Sequence, residues 1–529
     1  MEKGVPVGRT AESDGGGGAG CAGGLRERPG PGRDVVVIGG GVAGTSCVLH
    51  LVRELLDAPG RGGGGGRPGP PRGGRIRSVL LVDPNPPGWG LAFGDRDPLL
   101  LCNTAAEINS LLADEPGDFV GHLREQGLEV GPLDCVPRAR MAAYCHDRFD
   151  RSRARARELG VEVRHVRGAA ESVTAGPAGH RVRLADGREL RADEVVVATG
   201  VHRPRVPDGF AAFQDHPRYL DSPYPAARIR ERLPAGSNVL VLGSHQSAID
   251  AALLLCRDGH RATLTSPSGL LPAVRVSLAA PVRAFPPLER LARLDPADPL
   301  LEERVLRCAV ESVRLLSRVP LRRQTSRAAD PLQRLREEAA LVEEGAVWWP
   351  GIMVALMDAL IALAPSLPPG RMAALQARFA PLTGRYVTAM TSRNARRLLA
   401  HAGSGALRLA GSYPAAVAFE DGAWRVERPG AAPERFDYAV NATGFLLPTL
   451  CWNHDGTALY LDAPPGAGWA VDRLEADLRV RRGPGAAPER IWVVGVGTHV
   501  RVPFANLLGN VVRQAHQVAR ELAGAEIPV

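Results

Sequence analysis

The residues best placed to do chemistry are glycines. The run Val35-Val-Val-Ile-Gly39-Gly-Gly41-Val-Ala-Gly44 sets three of them as G-x-G-x-x-G, directly after an apolar strand and directly before an apolar helical stretch. Gly39 permits a tight turn, Gly41 lets backbone approach a pyrophosphate, and Gly44 lets helix and strand pack closely. The helix start then offers its unpaired N–H groups to the phosphate charge. The next strand ends Leu80-Leu-Val-Asp83, which places Asp83 to bind ribose hydroxyls. That acid usually follows the glycines by about 20 residues. Here a stretch rich in glycine, 59–74, with five in a row at Gly62–Gly66, lengthens the interval. A surface loop of that kind is tolerated because closure entropy grows only logarithmically with length. The chemistry implied is dinucleotide binding.

A second strand–turn–helix follows at Val239-Leu-Val-Leu-Gly243-Ser244-His245-Gln246-Ser247-Ala248. Of the three glycines it keeps only Gly243. Ala248 is acceptable at the packing position. His245 stands where backbone should approach phosphate, so it either displaces the pyrophosphate or contacts it, with Ser244 and Ser247 beside it. The next strand, Ala262-Thr-Leu-Thr-Ser266-Pro-Ser268, lacks a terminal acid. A carboxylate there would repel a 2′-phosphate, so its absence favours NADPH over NADH. Ser266, Ser268, Arg261 and Arg275 are candidates to hold that phosphate. An apolar strand ending in Ala-Thr-Gly occurs twice, at Glu194–Gly200 and Asp437–Gly444, on either side of this second motif.

These turns need parallel strands and covering helices. Val35–Ile38, Val79–Val82 and Val239–Leu242 read as buried parallel strands. Arg181–Val197 reads as a hairpin turning at Asp186-Gly187 and leading into a strand. Residues 285–380 show Leu, Ala, Arg and Glu at helical spacing and form a helical insertion. The expected fold is α/β, with two Rossmann-like dinucleotide-binding domains and the insertion in the second. The expected boundaries are a disordered tail over 1–33, the first domain over 34–235, the second over 236–430, and the rest of the first over 431–529.

Composition excludes several function classes. Lys3 is the only lysine among 65 basic residues, so a Schiff-base lysine or a Walker-type phosphate loop has no residue to use. The net charge of +8 comes from arginines spread among acids rather than gathered in stripes, which argues against nucleic acid. The eight cysteines form no C-x-x-C pair and no metal spacing, which predicts reduced thiols, a cytoplasmic protein and no metal. The apolar stretch 351–368 is interrupted by Asp358 and ends in proline, and reads as a buried helix rather than a membrane span.

The chain resembles the FAD/NAD(P)-binding flavoproteins related to class B and N-hydroxylating monooxygenases. Besides the glycine turns, Gly88-Trp-Gly90-Leu-Ala-Phe93 followed by Leu100-Leu-Cys-Asn103 is similar to a family segment that passes beside the flavin. Asp118-Phe119 and Val136-Pro-Arg138 with Tyr144 continue that pattern, and Asp437–Phe445 is similar to a signature of the N-hydroxylating enzymes. The likeness covers about 34–280 and 430–525. It implies FAD in the first domain and NADPH in the second. Asn103, Gly497 and Asn506 would then lie near the flavin, where the helix 511–523 points its N-terminus at the electron-rich edge of the isoalloxazine.

The resemblance implies a monooxygenase using O2 and a small amine or amino acid, with aspartate, oxidised toward nitrosuccinate, as the leading candidate. Catalysis would rest with the flavin, and self-association is left open. Without lysine, the substrate carboxylates would fall to Arg275, Arg283, Arg385 or Arg393. Two readings compete: a flavin-dependent reductase or dehydrogenase feeding a partner, and a nucleotide-binding protein without catalysis.

Overall fold

The computed structural model describes residues 32–57, 75–276, 289–317, 319–367, 370–464 and 466–524. The glycine-rich loop and nearly all of the amino-terminal tail lie outside these residues, as does Arg283. The first strand begins one residue before the expected start of the first domain. Arg33 opens the strand Arg33–Ile38 and donates to Glu194 Oε1 at 2.5 Å.

Two parallel sheets carry the two glycine turns. In the first, Arg33–Ile38 lies between Ile76–Val82 and Glu194–Val197. Glu162–Val166 and Pro488–Val493 extend it in parallel, and Arg479–Arg481 adds an antiparallel edge. Val35, Val36, Val79, Leu81, Val195 and Val196 are at most 1% exposed, because helices and a further sheet cover both faces. The hairpin Gly179–Leu184/Glu189–Ala192 forms as expected, within a five-stranded sheet that packs into the same core.

The second sheet runs, in spatial order, Leu407–Leu409, Arg261–Thr265, Asn238–Leu242, Tyr438–Asn441 and Tyr219–Leu220, all parallel. Two of these strands move the expected boundaries. Tyr219–Leu220 and Tyr438–Asn441 both belong to the second sheet, so the chain crosses between domains before 219 and after 441 rather than at 235/236 and 430/431. The second Ala-Thr-Gly strand thus stands beside the second glycine turn, not in the first domain. A three-stranded antiparallel sheet, 416–436, packs on this domain through Trp424 and Phe436.

The insertion is helical, with Leu301–Ser317, Pro331–Glu343, Trp349–Leu363 and Arg371–Leu382 as its main helices. Asp330 caps the second of these by accepting from Gln333 N at 2.6 Å, with Pro331 in the first turn where its missing N–H is harmless. Both ends of the insertion are pinned where Val274–Arg275 pairs in parallel with Met390–Thr391. The apolar helix expected to be buried is not: only 33% of Trp349–Ser366 is buried, although the segment has the length and composition to cross a membrane. Trp349, Ile352, Met357 and Leu363 are buried, and most of its other apolar residues are half-buried.

Candidate functional site

The first glycine turn holds a strained, closely packed geometry. Gly39 has φ +103°, and a Cβ on it would meet Ala198 O at 2.5 Å. Its N–H donates to Val82 O at 2.8 Å. A Cβ on Gly44 would sit 1.8 Å from Gly39 O, so the helix Val42–Asp57 approaches its strand as closely as glycine alone permits. A Cβ on Gly41 would meet nothing within 4 Å. That space opens at the N-terminus of a 16-residue helix. It is the cradle a pyrophosphate requires. Asp83 stands at its rim, accepting from Gly40 N and Asn85 N, each at 2.7 Å. Each carboxylate oxygen keeps a further lone pair for a ribose hydroxyl. The residues present fit an FAD.

The second turn repeats the backbone and changes the side chains. Gly243 has φ +128°, a Cβ on it would meet Ala442 O at 2.5 Å, and its N–H donates to Thr265 O at 2.7 Å. The two Ala-Thr-Gly segments are therefore one device used twice, each pressing an alanine carbonyl against the first glycine of its turn. His245 precedes the helix Gln246–Arg257 and leans toward the insertion, its Cε1 3.5 Å from where a Cβ on Gly384 would lie. Ser266 is buried, with Oγ 3.4 Å from Ser268 Oγ. Arg261 begins its strand, at the end remote from the turn, and cannot serve the 2′-phosphate; cofactors bind beyond the carboxyl ends of such strands.

A cavity of about 1920 Å³ runs between the domains, from the first turn to the start of the helix that follows the second. The first domain contributes Gly39, Gly41, Asp83, Asn103 and Ala198–Gly200. The second contributes Gln246 and Ser247, while Gly243, Ser244, His245, Ser266 and Ser268 stand behind the wall. At the carboxyl end, Gly495, Val496 and Asn506 line it. Gly497 does not: it is buried and its carbonyl accepts from Trp469 Nε1 at 2.9 Å. The final helix begins at Leu508, three residues earlier than expected, which puts its N-terminus at the cavity beside Asn506.

The remaining wall comes from the insertion. Helix Trp349–Leu363 turns Trp349, Ile352, Met353, Leu356, Met357 and Leu360 inward, the i, i+3, i+4, i+7 stripe of one helix face. Leu301–Ser317 adds Val305 and Val313, and Arg371–Leu382 adds Leu375 and Phe379.

The substrate arginines are elsewhere. Arg275 is 0% exposed and faces no carboxylate; its Nη2 donates to Asn103 O at 2.9 Å and to Ala389 O at 3.1 Å. Burial lowers its pKa to about 10. It ties the root of the insertion to the first domain, and neither binds substrate nor reaches the nicotinamide phosphate. Arg385 pairs with Glu338, a buried carboxylate, and stacks on Tyr386. Arg393 is exposed on the helix Ser392–Gly403. None of these three lines the cavity.

One arginine does line it, together with partners the sequence reading did not join to it. Arg138 donates from Nη2 to Asp250 Oδ2 at 2.7 Å and from Nη1 to Tyr224 OH at 3.3 Å, and Tyr224 OH donates to Asp250 at 2.6 Å. Burial pushes the Asp250 carboxyl up, and Arg138 opposes that shift. Arg138 comes from the helix of the first domain and Asp250 from the helix after the second turn, so this ion pair latches the two domains at the cavity wall. Charged residues separated by over a hundred positions give no signal in a linear motif.

Residues 36–202 match a family described as FAD-NAD(P)-binding. The FAD-dependent urate hydroxylase of Xanthomonas campestris pv. campestris is 27% identical over 236 residues, 43% of this chain and 43% of its own length. The chain thus spans less than half of the curated relative it matches. An ornithine N-hydroxylase from Kutzneria sp. 744, solved with reduced FAD, NADP+ and L-ornithine, superposes with a TM-score of 0.54 at 15% identity, covering 93% of this chain and 99% of that one. L-lysine 6-monooxygenase from Pseudomonas syringae gives 0.50 at 16% identity, covering 93% and 99%. At such identities these two establish the shared fold: an α/β chain with two Rossmann-like domains, the first an FAD-NAD(P)-binding domain.

Proposed function

We propose that the protein is a flavin-dependent monooxygenase that uses NADPH and O2 to hydroxylate the nitrogen of a primary amine. The observation that carries this reading is one cavity, which reaches from the first glycine turn to Gln246 and Ser247 after the second and is walled by inserted helices. A reductase passing electrons to a protein partner needs no such compartment. The likeness in fold to ornithine and lysine N-hydroxylating enzymes points the same way.

Bound FAD would supply the redox and oxygen chemistry. The balanced reaction is R–NH2 + O2 + NADPH + H+ → R–NHOH + NADP+ + H2O. The protein's residues provide positions and dryness. Gly39 to Gly44 and the helix behind them would hold the FAD pyrophosphate, with Asp83 on its ribose. Ser247 lines the cavity where a second dinucleotide would lie, with Ser244, Ser266 and Ser268 behind it, and the missing acid after Thr265 would favour NADPH. Asn103 and Asn506 flank the space between. The Arg138–Asp250 ion pair would hold the two domains together at the cavity wall, and the apolar insertion would limit the access of water.

Aspartate loses its support as substrate. Two carboxylates call for at least two cationic partners, and Arg138, already paired with Asp250, is the only arginine or lysine lining the cavity among the described residues. The test is oxygen uptake by the FAD-loaded protein with NADPH and a panel of amines. A rise only when an amine is present, with its hydroxylamine formed, supports the reading. Uptake that no amine alters, ending in hydrogen peroxide, favours the reductase.

A further inference from the structure

We infer that the substrate is an amine carrying an extended apolar group, held by the insertion; this rests on the monooxygenase reading above. The three inserted helices that line the cavity separate their side chains sharply. Arg304, Arg307, Arg314, Arg371 and Arg378 all lie off the cavity wall, and Gln376 is the one polar side chain these helices turn inward among the described residues. An apolar helix stripe normally packs into a core. Here Trp349, Ile352 and Met357 are already buried, while Met353, Leu356 and Leu360 are only partly buried on a cavity connected to the flavin cradle, which leaves apolar surface for a ligand to cover.

The rim extends the same character outward. Leu306, Val310, Leu382 and Leu447 line the cavity and are 40%, 57%, 40% and 51% exposed. Contiguous exposed apolar surface of this kind marks a binding groove. The volume also fits. A single-ligand pocket holds roughly 300–1,000 Å³, so a 1920 Å³ cavity has room for cofactor and substrate together. Continuity of the wall with the first glycine turn and with Gln246 and Ser247 after the second makes a small molecule undergoing reaction the occupant, in preference to a protein partner or a second copy of the chain.

The experiment measures NADPH oxidation, oxygen uptake and hydroxylamine with the full chain loaded with FAD, across primary n-alkylamines from butylamine to dodecylamine, with aspartate and ornithine in parallel. KM is expected to fall about fourfold per methylene while the wall is being covered, the equivalent of ~0.8 kcal/mol. Leu356→Asn and, separately, Leu360→Asn are expected to raise KM for decylamine more than tenfold, with FAD content and anaerobic flavin reduction by NADPH unchanged. A KM indifferent to chain length, or hydroxylation of aspartate or ornithine in preference to the alkylamines, overturns the inference and leaves the monooxygenase standing. NADPH oxidation that no amine alters overturns both.

Discussion

The two glycine turns share a backbone and differ wherever a side chain would meet a ligand. In both, the first glycine has a positive φ, donates to the neighbouring strand, and sits 2.5 Å, measured from an ideal Cβ, from an alanine carbonyl. At the next positions they part. Gly41 leaves open space, whereas His245 fills the equivalent position. Gly44 brings helix onto strand, whereas Ala248 carries the methyl that prevents so close an approach. Asp83 becomes Ser266. The strained glycine and its carbonyl contact are requirements of the fold and survive in both. The remaining positions differ where a ligand would lie: open space at Gly41 against an imidazole at His245, and an acid at Asp83 against a hydroxyl at Ser266.

The sharpest way to break this comparison is Gly41→Val. A side chain there meets no protein atom, so the fold should survive while FAD content falls more than about tenfold, ~1.4 kcal/mol or more of lost binding. Unfolding curves and flavin absorbance measure the two separately. Retention of yellow protein would show that the open space is not the pyrophosphate cradle.

Next in size is the latch between the turns. Arg138→Met leaves Asp250 buried without its cation, and removing one partner of a buried pair costs about 3–5 kcal/mol. Denaturant unfolding should show that loss, together with slower anaerobic reduction of the flavin by NADPH. A loss below ~1 kcal/mol would mean that the domains are held by other contacts.

Smaller effects belong to the second turn. NADPH should reduce the flavin faster than NADH at equal concentration, because no acid follows Thr265, and the reverse would show that this strand end does not select against NADH. His245 leans toward Gly384 and lies off the cavity wall. His245→Gly should therefore change the KM for NADPH by less than roughly threefold, ~0.7 kcal/mol, and leave FAD untouched. A tenfold rise would place the imidazole on the phosphate.

The last prediction concerns the first domain alone. His50 is buried against His516, with ring centroids 4.4 Å apart, and accepts from Ala113 N at 3.4 Å. Burial, aided by His516 and Arg53 and opposed by Asp114, lowers its pKa to about 3. A histidine depressed in the folded state favours folding above its unfolded value of about 6.5, and that contribution is lost as pH falls from there toward 3. His50→Gln should flatten the decline in stability between about pH 6 and 4. An unchanged acid limb would show that His50 does not set it.

How much of this was legible in sequence follows from where each signal lies. The first turn is local: strand, glycines, helix and acid occur in order, and folding altered none of their assignments. The strand at 438–441 is legible in sequence but its sheet is not, because Ala-Thr-Gly records a contact with a glycine and not which glycine. The apolar helix at 349–363 carries the composition of a core helix, and only the fold shows that its stripe faces a cavity. The arginines were chosen by chemical type, and type does not report direction. Arg275 donates to backbone carbonyls, Arg385 pairs with Glu338, and Arg393 faces solvent. Arg138, which does reach the cavity, was noticed only as part of a family pattern, because its partner Asp250 lies in another domain.

The claim that one cavity serves both cofactors and an amine is tested most directly in a single turnover. The FAD-loaded protein is reduced anaerobically with one equivalent of NADPH, then mixed with oxygen and a saturating alkylamine, and the products are counted. The account predicts prompt bleaching of the flavin and close to one hydroxylamine per NADPH. Bleaching followed by one equivalent of hydrogen peroxide, with the whole amine panel recovered unchanged, would contradict it.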